Sequence, residues 1–428
     1  MWSNDPLELI MRILTLCLGF VSLVCAQSLP PQVVATIDDR AARYETLLEQ
    51  LVNINSGTYN PPGVSKVADI LEPEFKALGF ETHRISNEKA GRGPHLVATR
   101  NGSKGKRLLL IGHMDTVFEP SSPFQKFTRS GPQSIGPGVV DDKGGDVVML
   151  MALEGLFRAG LLNDTRITVF LTGDEEAPAA DQVTRPEFIA AGKNSDAALC
   201  FESGAVDTIS TARRGATTWN IKVSGNTGHS SQVFTEAMGD GAAYELSRIL
   251  TAFHDQLREP SLTYNVGMMV AGLEAKLDTD TGRVGGKTNI VPALAEAKGD
   301  VRAVSPEQLG KAKDKMYGII KQNLQGTHAE ITFTELYPPM PPSPGNRALM
   351  AMMNELNREL GFPQQTELDP GGRGAGDISF VAPFVDSLEG LGSVGGGAHA
   401  EGEHMDLSKQ PMQAKRAAAL IYRLTASK

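Results

Sequence analysis

Three short apolar runs constrain the fold of this chain more than any other feature. RLLLIG (107–112), RITVFLTG (166–173) and AALCFESG (197–204) are rich in apolar and β-branched residues and show little polar alternation. Runs of this kind form strands buried on both faces, as in a sheet covered by helices on each side. HLVATR (95–100) adds a further short strand. Between two of the runs, residues 146–162 carry Val147, Leu150, Met151, Leu153, Leu156 and Phe157, a helical spacing with a broad apolar face. The alternation predicts an α/β fold with a mainly parallel sheet. Helices are expected at 33–52, at 66–78 up to Gly79, and at 413–425, with a Pro/Gly loop at 59–64.

Near residue 214 the texture changes. TTWNIKVSG alternates as a half-exposed strand does. A helix (241–257), strands around TYNVGMMVAGL and AEAKGDVRAV, a helix (306–325) and the strand AEITFTEL follow. Strand–helix–strand–strand–helix–strand describes a small α+β unit of ferredoxin-like order with one sheet face open. We place this insert at 214–328, bracketed by the two halves of the larger unit, 27–213 and 329–428.

The 428 residues are enough for two such cores. Net charge is −9 and no basic stripe is interleaved with aromatics, which argues against nucleic acid as a partner. Residues 1–26 read as a signal peptide. Arg12 precedes an apolar run at 13–24 that is too short to span a bilayer, and Val24-Cys25-Ala26 suits cleavage. Met11 is an alternative start that gives a tidier leader. The expectation is a periplasmic or secreted protein with no stable membrane span. Cys17 and Cys25 leave with the leader, and Cys200 alone forms no intramolecular disulfide.

In open sheets of this class, ligands collect at the carboxyl ends of the strands. His113 and Asp115 follow the first apolar run in GHMDTV, Glu175 and Glu176 follow the second in TGDEE, and Glu202 lies in the third in CFESG. Asp141 and Asp142 sit in GPGVVDDKGG, a Gly-rich loop that opens a helix, and His399 and His404 sit in GGGAHAEGEH. Each motif alone has a plain reading: adjacent acids as a solvated turn, Asp142 as a helix cap, a lone histidine as a surface residue. Asp174, Glu175 and Glu176 in a row raise one another's pKa unless a cation neutralises them. Taken together, the acids and imidazoles point to a metal site.

With TGHSS (227–231) and GGKTNIVPALAEAKGDVRA (285–303), these motifs resemble, in order and over nearly the whole chain after the leader, the dizinc aminoacylase/carboxypeptidase peptidases. The likeness is strongest to the glutamate carboxypeptidases of the carboxypeptidase G type. It implies two zinc ions, although cobalt or manganese also suits such donors. It implies that Asp141 bridges the ions and precedes a cis peptide bond. His113 and Glu202 then complete one site, and Glu176 and His399 the other. Asp115 is expected to fix the tautomer of His113 from its far nitrogen, and Glu175 to be the general base. His229, from the insert, is expected to steady the oxyanion in the partner's site of a homodimer. Asn289 and Arg302 are expected to bind substrate, Arg302 as a carboxylate clamp. Read without the resemblance, His229 is a turn histidine and Arg302 half of a surface ion pair.

The implied reaction removes a C-terminal amino acid from a small peptide or an N-acyl amino acid. An N-acyl amino acid deacylase or biosynthetic deacetylase is the alternative. A non-catalytic binding relative is a further one, which loss of Glu175 or a ligand would have favoured, and none is lost. Some segments depart from the family pattern. DEE continues into APAADQVTRPEF, expected to reshape the substrate pocket. GGRGAGDISF replaces a Ser/Thr-Asp pair but keeps Asp377. The lysine of glutamate-specific members is missing from SGAVDTISTARRG, where Arg213 and Arg214 lie near. His404 rivals His399 as a ligand; the resemblance favours His399, which follows the Gly run directly.

Overall fold

The computed structural model describes residues 28–426, so the leader expected at 1–26 lies outside the described residues. The chain opens with α1 (Pro31–Val52) and α2 (Pro61–Ala77), then β1 (Glu81–Ile85), β2 (His95–Asn101) and β3 (Lys104–His113). Next come α3 (Lys143–Arg158), β4 (Thr165–Thr172), α4 (Pro186–Lys193) and β5 (Ala197–Cys200). The insert contributes β6 (Ala216–Gly225), α5 (Ala242–Gln256), β7 (Thr263–Gly272), β8 (Leu294–Arg302), α6 (Pro306–Ile320) and β9 (Thr327–Tyr337). The chain returns through α7 (Pro344–Leu360), β10 (Ser387–Glu389) and α8 (Gln410–Ala426).

The central sheet runs β1-β2-β4-β3-β5-β10. β4, β3, β5 and β10 are mutually parallel, and β2 runs against β1 and β4. The three apolar runs are therefore adjacent strands in the middle of one sheet. Their carboxyl ends open on one edge, which brings His113, DEE and Glu202 together. α3 is buried from Lys143 to Leu156 because it lies between this sheet and the helices α1 and α8. Phe188, Ile378, Phe380 and Val381 cover the opposite face.

Two helix starts differ from expectation. α2 begins at Pro61, inside the expected loop, because proline at the first helical position lacks only an N–H that would be unpaired there. α3 begins at Lys143 and ends at Arg158, shortly before Gly160 at φ 70°. The insert sheet is antiparallel in the order β7-β8-β6-β9, the ferredoxin-like arrangement. Its own core holds Trp219, Ile221, Leu246, Ile249, Phe253, Ala297 and Met316. A hairpin of Glu274–Leu277 with Gly282–Gly285, unforeseen in the sequence, leaves its edge. The boundary drawn at 328 is too early: β9 pairs with β6 as far as Tyr337. The two connections to the insert pair with each other, since Arg213 and Met340 exchange N–H···O bonds of 2.9 Å each. No helix among the described residues is long and apolar enough to cross a membrane.

Candidate metal centre

Asp141 lies at the middle of the site. One carboxylate oxygen is 3.1 Å from His113 Nε2, and the other is 3.1 Å from His399 Nε2. His113 Nε2 is also 3.5 Å from Glu202, and His399 Nε2 is 3.1 Å from Glu176. The two oxygens of Asp141 thus face two separate groups, His113 with Glu202 and His399 with Glu176. In each group the donor atoms lie within 4.8 Å of one another. Glu175 also falls within that distance of His113 and Glu176, so proximity alone does not separate base from ligand. The Asp141–Asp142 peptide bond is cis, as the resemblance implied.

The supports of these side chains come from distant parts of the chain. His113 Nδ1 is 3.1 Å from the Asp115 carbonyl and 3.5 Å from its carboxylate. A carbonyl only accepts, so Nδ1 carries a proton, and Nε2 is the ring nitrogen turned towards the acids. The Asp115 carboxylate thus lies on the far-nitrogen side of the ring, beside its own carbonyl. Its oxygens also accept the backbone N–H groups of Glu175 (3.0 Å) and Glu176 (3.1 Å) and the Thr58 hydroxyl (2.6 Å). Glu403 accepts the N–H groups of Gly138, Val140 and Asp141, and so shapes the loop that presents Asp141. His399 adopts φ 64°, a left-handed conformation rare outside glycine that turns its ring towards the acids. His404 instead pairs in a short strand with Ile135, its Nδ1 near the Gly402 carbonyl, and stays out of the cluster.

Burial raises the carboxyl pKa of Glu175, and the charges of Glu202 and Glu176 raise it further. Burial and the charge of Asp141 push Glu176 to about 8. Burial also raises Asp141 and Glu202, but the imidazoles outweigh it and both end below their ordinary values. Contacts with Asp141 and Glu176 push His399 up to about 11. Burial lowers His113, and its carboxylate neighbours more than reverse this. Glu176 Oε1 and both oxygens of Asp142 are buried without a hydrogen-bond partner. Two imidazoles, three carboxylates and an orphaned buried oxygen fit divalent cations, held by His113, Asp141 and Glu202 on one side and Asp141, Glu176 and His399 on the other.

Beneath this layer, Asp174 accepts from Arg185 (2.5 Å) and Thr184 (2.7 Å), and Arg185 is 3.1 Å from Asp377. The segment after DEE, expected to reshape the pocket, therefore doubles back and plugs the strand end. No sequence signal marked this role; Arg185 is simply one arginine in a long loop. Arg213, near the missing lysine, is buried against Glu389 and so committed elsewhere. Arg373 lies 3.6 Å from Glu202, with its side chain 15% exposed.

The insert residues are arranged differently. His229 is exposed and its ring meets Ser231 at 2.8 Å. Asn289 is exposed on the adjacent loop, where its carbonyl accepts the Ser230 N–H. Arg302 pairs with Asp300 at 2.9 Å, two residues along its own strand. None of the three is hydrogen-bonded or ion-paired to the metal cluster within one chain.

Comparison with known proteins agrees with this geometry. A family model described as peptidase family M20/M25/M40 matches residues 109–424. Carboxypeptidase G2 of Pseudomonas sp. (strain RS-16) is 29% identical over 406 residues, covering 92% of each chain. A succinyl-diaminopimelate desuccinylase of Leptothrix cholodnii is 25% identical over 381 residues, 85% of this chain and 94% of that protein. Among solved structures, a tripeptidase from Staphylococcus aureus shares the fold with a TM-score of 0.71 at 22% identity, covering 90% of this chain and 99% of that one. An M20 family metallo-carboxypeptidase from Sulfolobus solfataricus does so with a TM-score of 0.64 at 17% identity, with the same coverage. By sequence this chain belongs to peptidase family M20/M25/M40.

Proposed function

We propose that the protein is an exported, two-zinc hydrolase that releases a C-terminal amino acid from a small peptide or N-acyl amino acid. The observation that carries this reading is Asp141, whose two oxygens face two separate imidazole–carboxylate pairs. When bound, the cations supply Lewis-acid polarisation of the scissile carbonyl and acidify an attacking water. Glu175 takes the proton of that water as oxygen adds to the carbonyl carbon. It then delivers the proton to the amine nitrogen as the C–N bond breaks. Asp115 holds the backbone of Glu175 and Glu176, so base and ligand diverge from a fixed turn.

His229, Asn289 and Arg302 are proposed to serve the reaction from the insert, His229 across a homodimer. His229 and Asn289 are exposed and Arg302 is half-buried, and the contacts of all three are local to the insert, which supports this by leaving them within reach of another chain. Mixing inactive His229→Ala with inactive Glu175→Gln protein would then restore about a quarter of the activity through hybrid dimers. No recovery would place His229 in its own chain's site or outside the reaction. The desuccinylase relatives favour a second reading, deacylation of an N-succinylated amino acid.

A panel of C-terminal peptides and N-acyl amino acids, run on chelated and zinc-restored protein, separates the two readings by preferred substrate. Turnover that survives complete chelation would sink both. Export is tested by the N-terminus of protein recovered outside the cytoplasm, expected at Gln27.

A further inference from the structure

The turn that carries Glu175 is held by its backbone from two sides. The Glu175 N–H donates to Asp115 at 3.0 Å, and the Glu175 carbonyl accepts the Tyr337 hydroxyl. Its neighbours are tied likewise: Glu176 N–H to Asp115 at 3.1 Å, and the Asp174 carbonyl to Arg185 at 3.1 Å. Asp115 and Arg185 belong to the larger unit. Tyr337 joins the two units: its backbone is the last residue of β9, paired with Ala216 just past a register shift, while its ring packs on the larger unit's core. Three residues on, Met340 pairs with Arg213, where the two connections to the insert run side by side. The Tyr337 ring rests against Phe380, with centroids 5.3 Å apart, and Phe380 in turn lies under the Arg185 guanidinium.

We propose that Tyr337 is a positioning residue for Glu175, through which the insert sheet sets the aim of the general base. This rests on the reading of Glu175 as base. The physical ground is leverage. A hydrogen bond to the carbonyl of a residue constrains the peptide plane next to its own Cα, and so the direction in which its side chain leaves the chain. The anchor stands where the insert joins the larger unit, so a swing of the insert moves the anchor. A buried tyrosine hydroxyl commonly finds some acceptor, but here the acceptor is the peptide of the base itself.

Tyr337→Phe keeps the ring and deletes the bond. Misplacing a reacting group by a fraction of an ångström lowers the rate, so kcat is expected to fall about tenfold or more, with KM within about twofold of wild type. Amide hydrogen exchange at 174–177 is expected to rise, while exchange in β3 stays unchanged. Leu424→Ala, in the core of α8 and away from the turn, is expected to lower Tm while leaving kcat near wild type. Combined with Glu175→Gln, Tyr337→Phe is expected to add no further loss, because it acts through that residue. Wild-type kcat with unchanged exchange, a change in KM alone, an equal kcat loss in Leu424→Ala, or multiplicative losses in the double variant would each overturn the proposal. Full activity of Glu175→Gln would instead overturn the base assignment beneath it.

Discussion

Asp174 and Glu176 are two residues apart, yet they belong to regions built on opposite electrostatic plans. Asp174 lies in the lower region, where Arg185 bridges it to Asp377 and the whole network is buried. Glu176 lies in the upper region with Asp141 and Glu202, where the nearest cationic groups are imidazoles and Glu176 Oε1 has no partner. Burying a charge is costly unless a partner repays the lost hydration. In the lower region the chain provides that partner permanently. In the upper region Arg373 serves Glu202 alone, at 3.6 Å, and the unmet charge of Asp141 and Glu176 suits an exchangeable cation. An arginine in the upper position would give the same neutrality and no chemistry.

The largest test of this contrast is metal removal. Chelated protein should melt several degrees below zinc-loaded protein at neutral pH, since a cation at a thousandfold its Kd stabilises by about 4 kcal/mol per site. Equal melting temperatures would erase the distinction between the two regions. Next in size is Arg185→Met, which strips the lower region of its cation and leaves Asp174 and Asp377 facing each other. It should cost about 3–5 kcal/mol, and the loss should be the same with and without zinc. If zinc rescued the variant, the two regions would be one coupled network.

How far the sequence revealed each region follows the same line. The upper region was legible because its candidate ligands sit at the ends of recognisable strands and in Gly-rich loops, and because metal binding is a ready explanation for so many acids at one sheet edge. His399 was preferred over His404 through the resemblance, and Arg302 carried two readings, a substrate clamp by resemblance and half of an ion pair without it. The lower region was not legible. Arg185 and Tyr337 grip backbone, and Thr58 a carboxylate, at positions remote in sequence, and a residue type says little about such a grip. Asp174 accordingly had no role until Arg185 was seen to fold back on it. The fold was legible where period and length agreed, as in β3 to β5. It was misread where local chemistry carried two meanings: Pro61 and Pro62 signal a loop or a helix start, and AEITFTEL continues past the boundary drawn before it.

Asp115→Asn probes the join between the regions. One oxygen of Asp115 holds Glu175 and the other holds Glu176 and Thr58, and an amide retains only one acceptor atom. A loss of about 10- to 100-fold in zinc affinity or activity is expected, as for other residues that orient ligands. A full loss of folding would show that the turn serves stability first.

The smallest effect belongs to the surface, where acids have cations but also water. The Lys76 contact holds the Glu72 carboxyl down to about 2 against the opposing effect of burial, with Arg84 and Thr82 adding to it. A carboxyl depressed in the folded state stabilises above its unfolded pKa of about 4.5 and loses that contribution as pH falls towards 2. Glu72→Gln should therefore lower Tm at pH 7 and matter less and less below pH 4.5. Exposed partners and salt screening keep the cost below about 1 kcal/mol, and added salt should shrink it further. A Glu72→Gln penalty that matched Arg185→Met and ignored salt would mean that the depth of an ion pair, the basis of the contrast between the two regions, does not govern its weight in this protein.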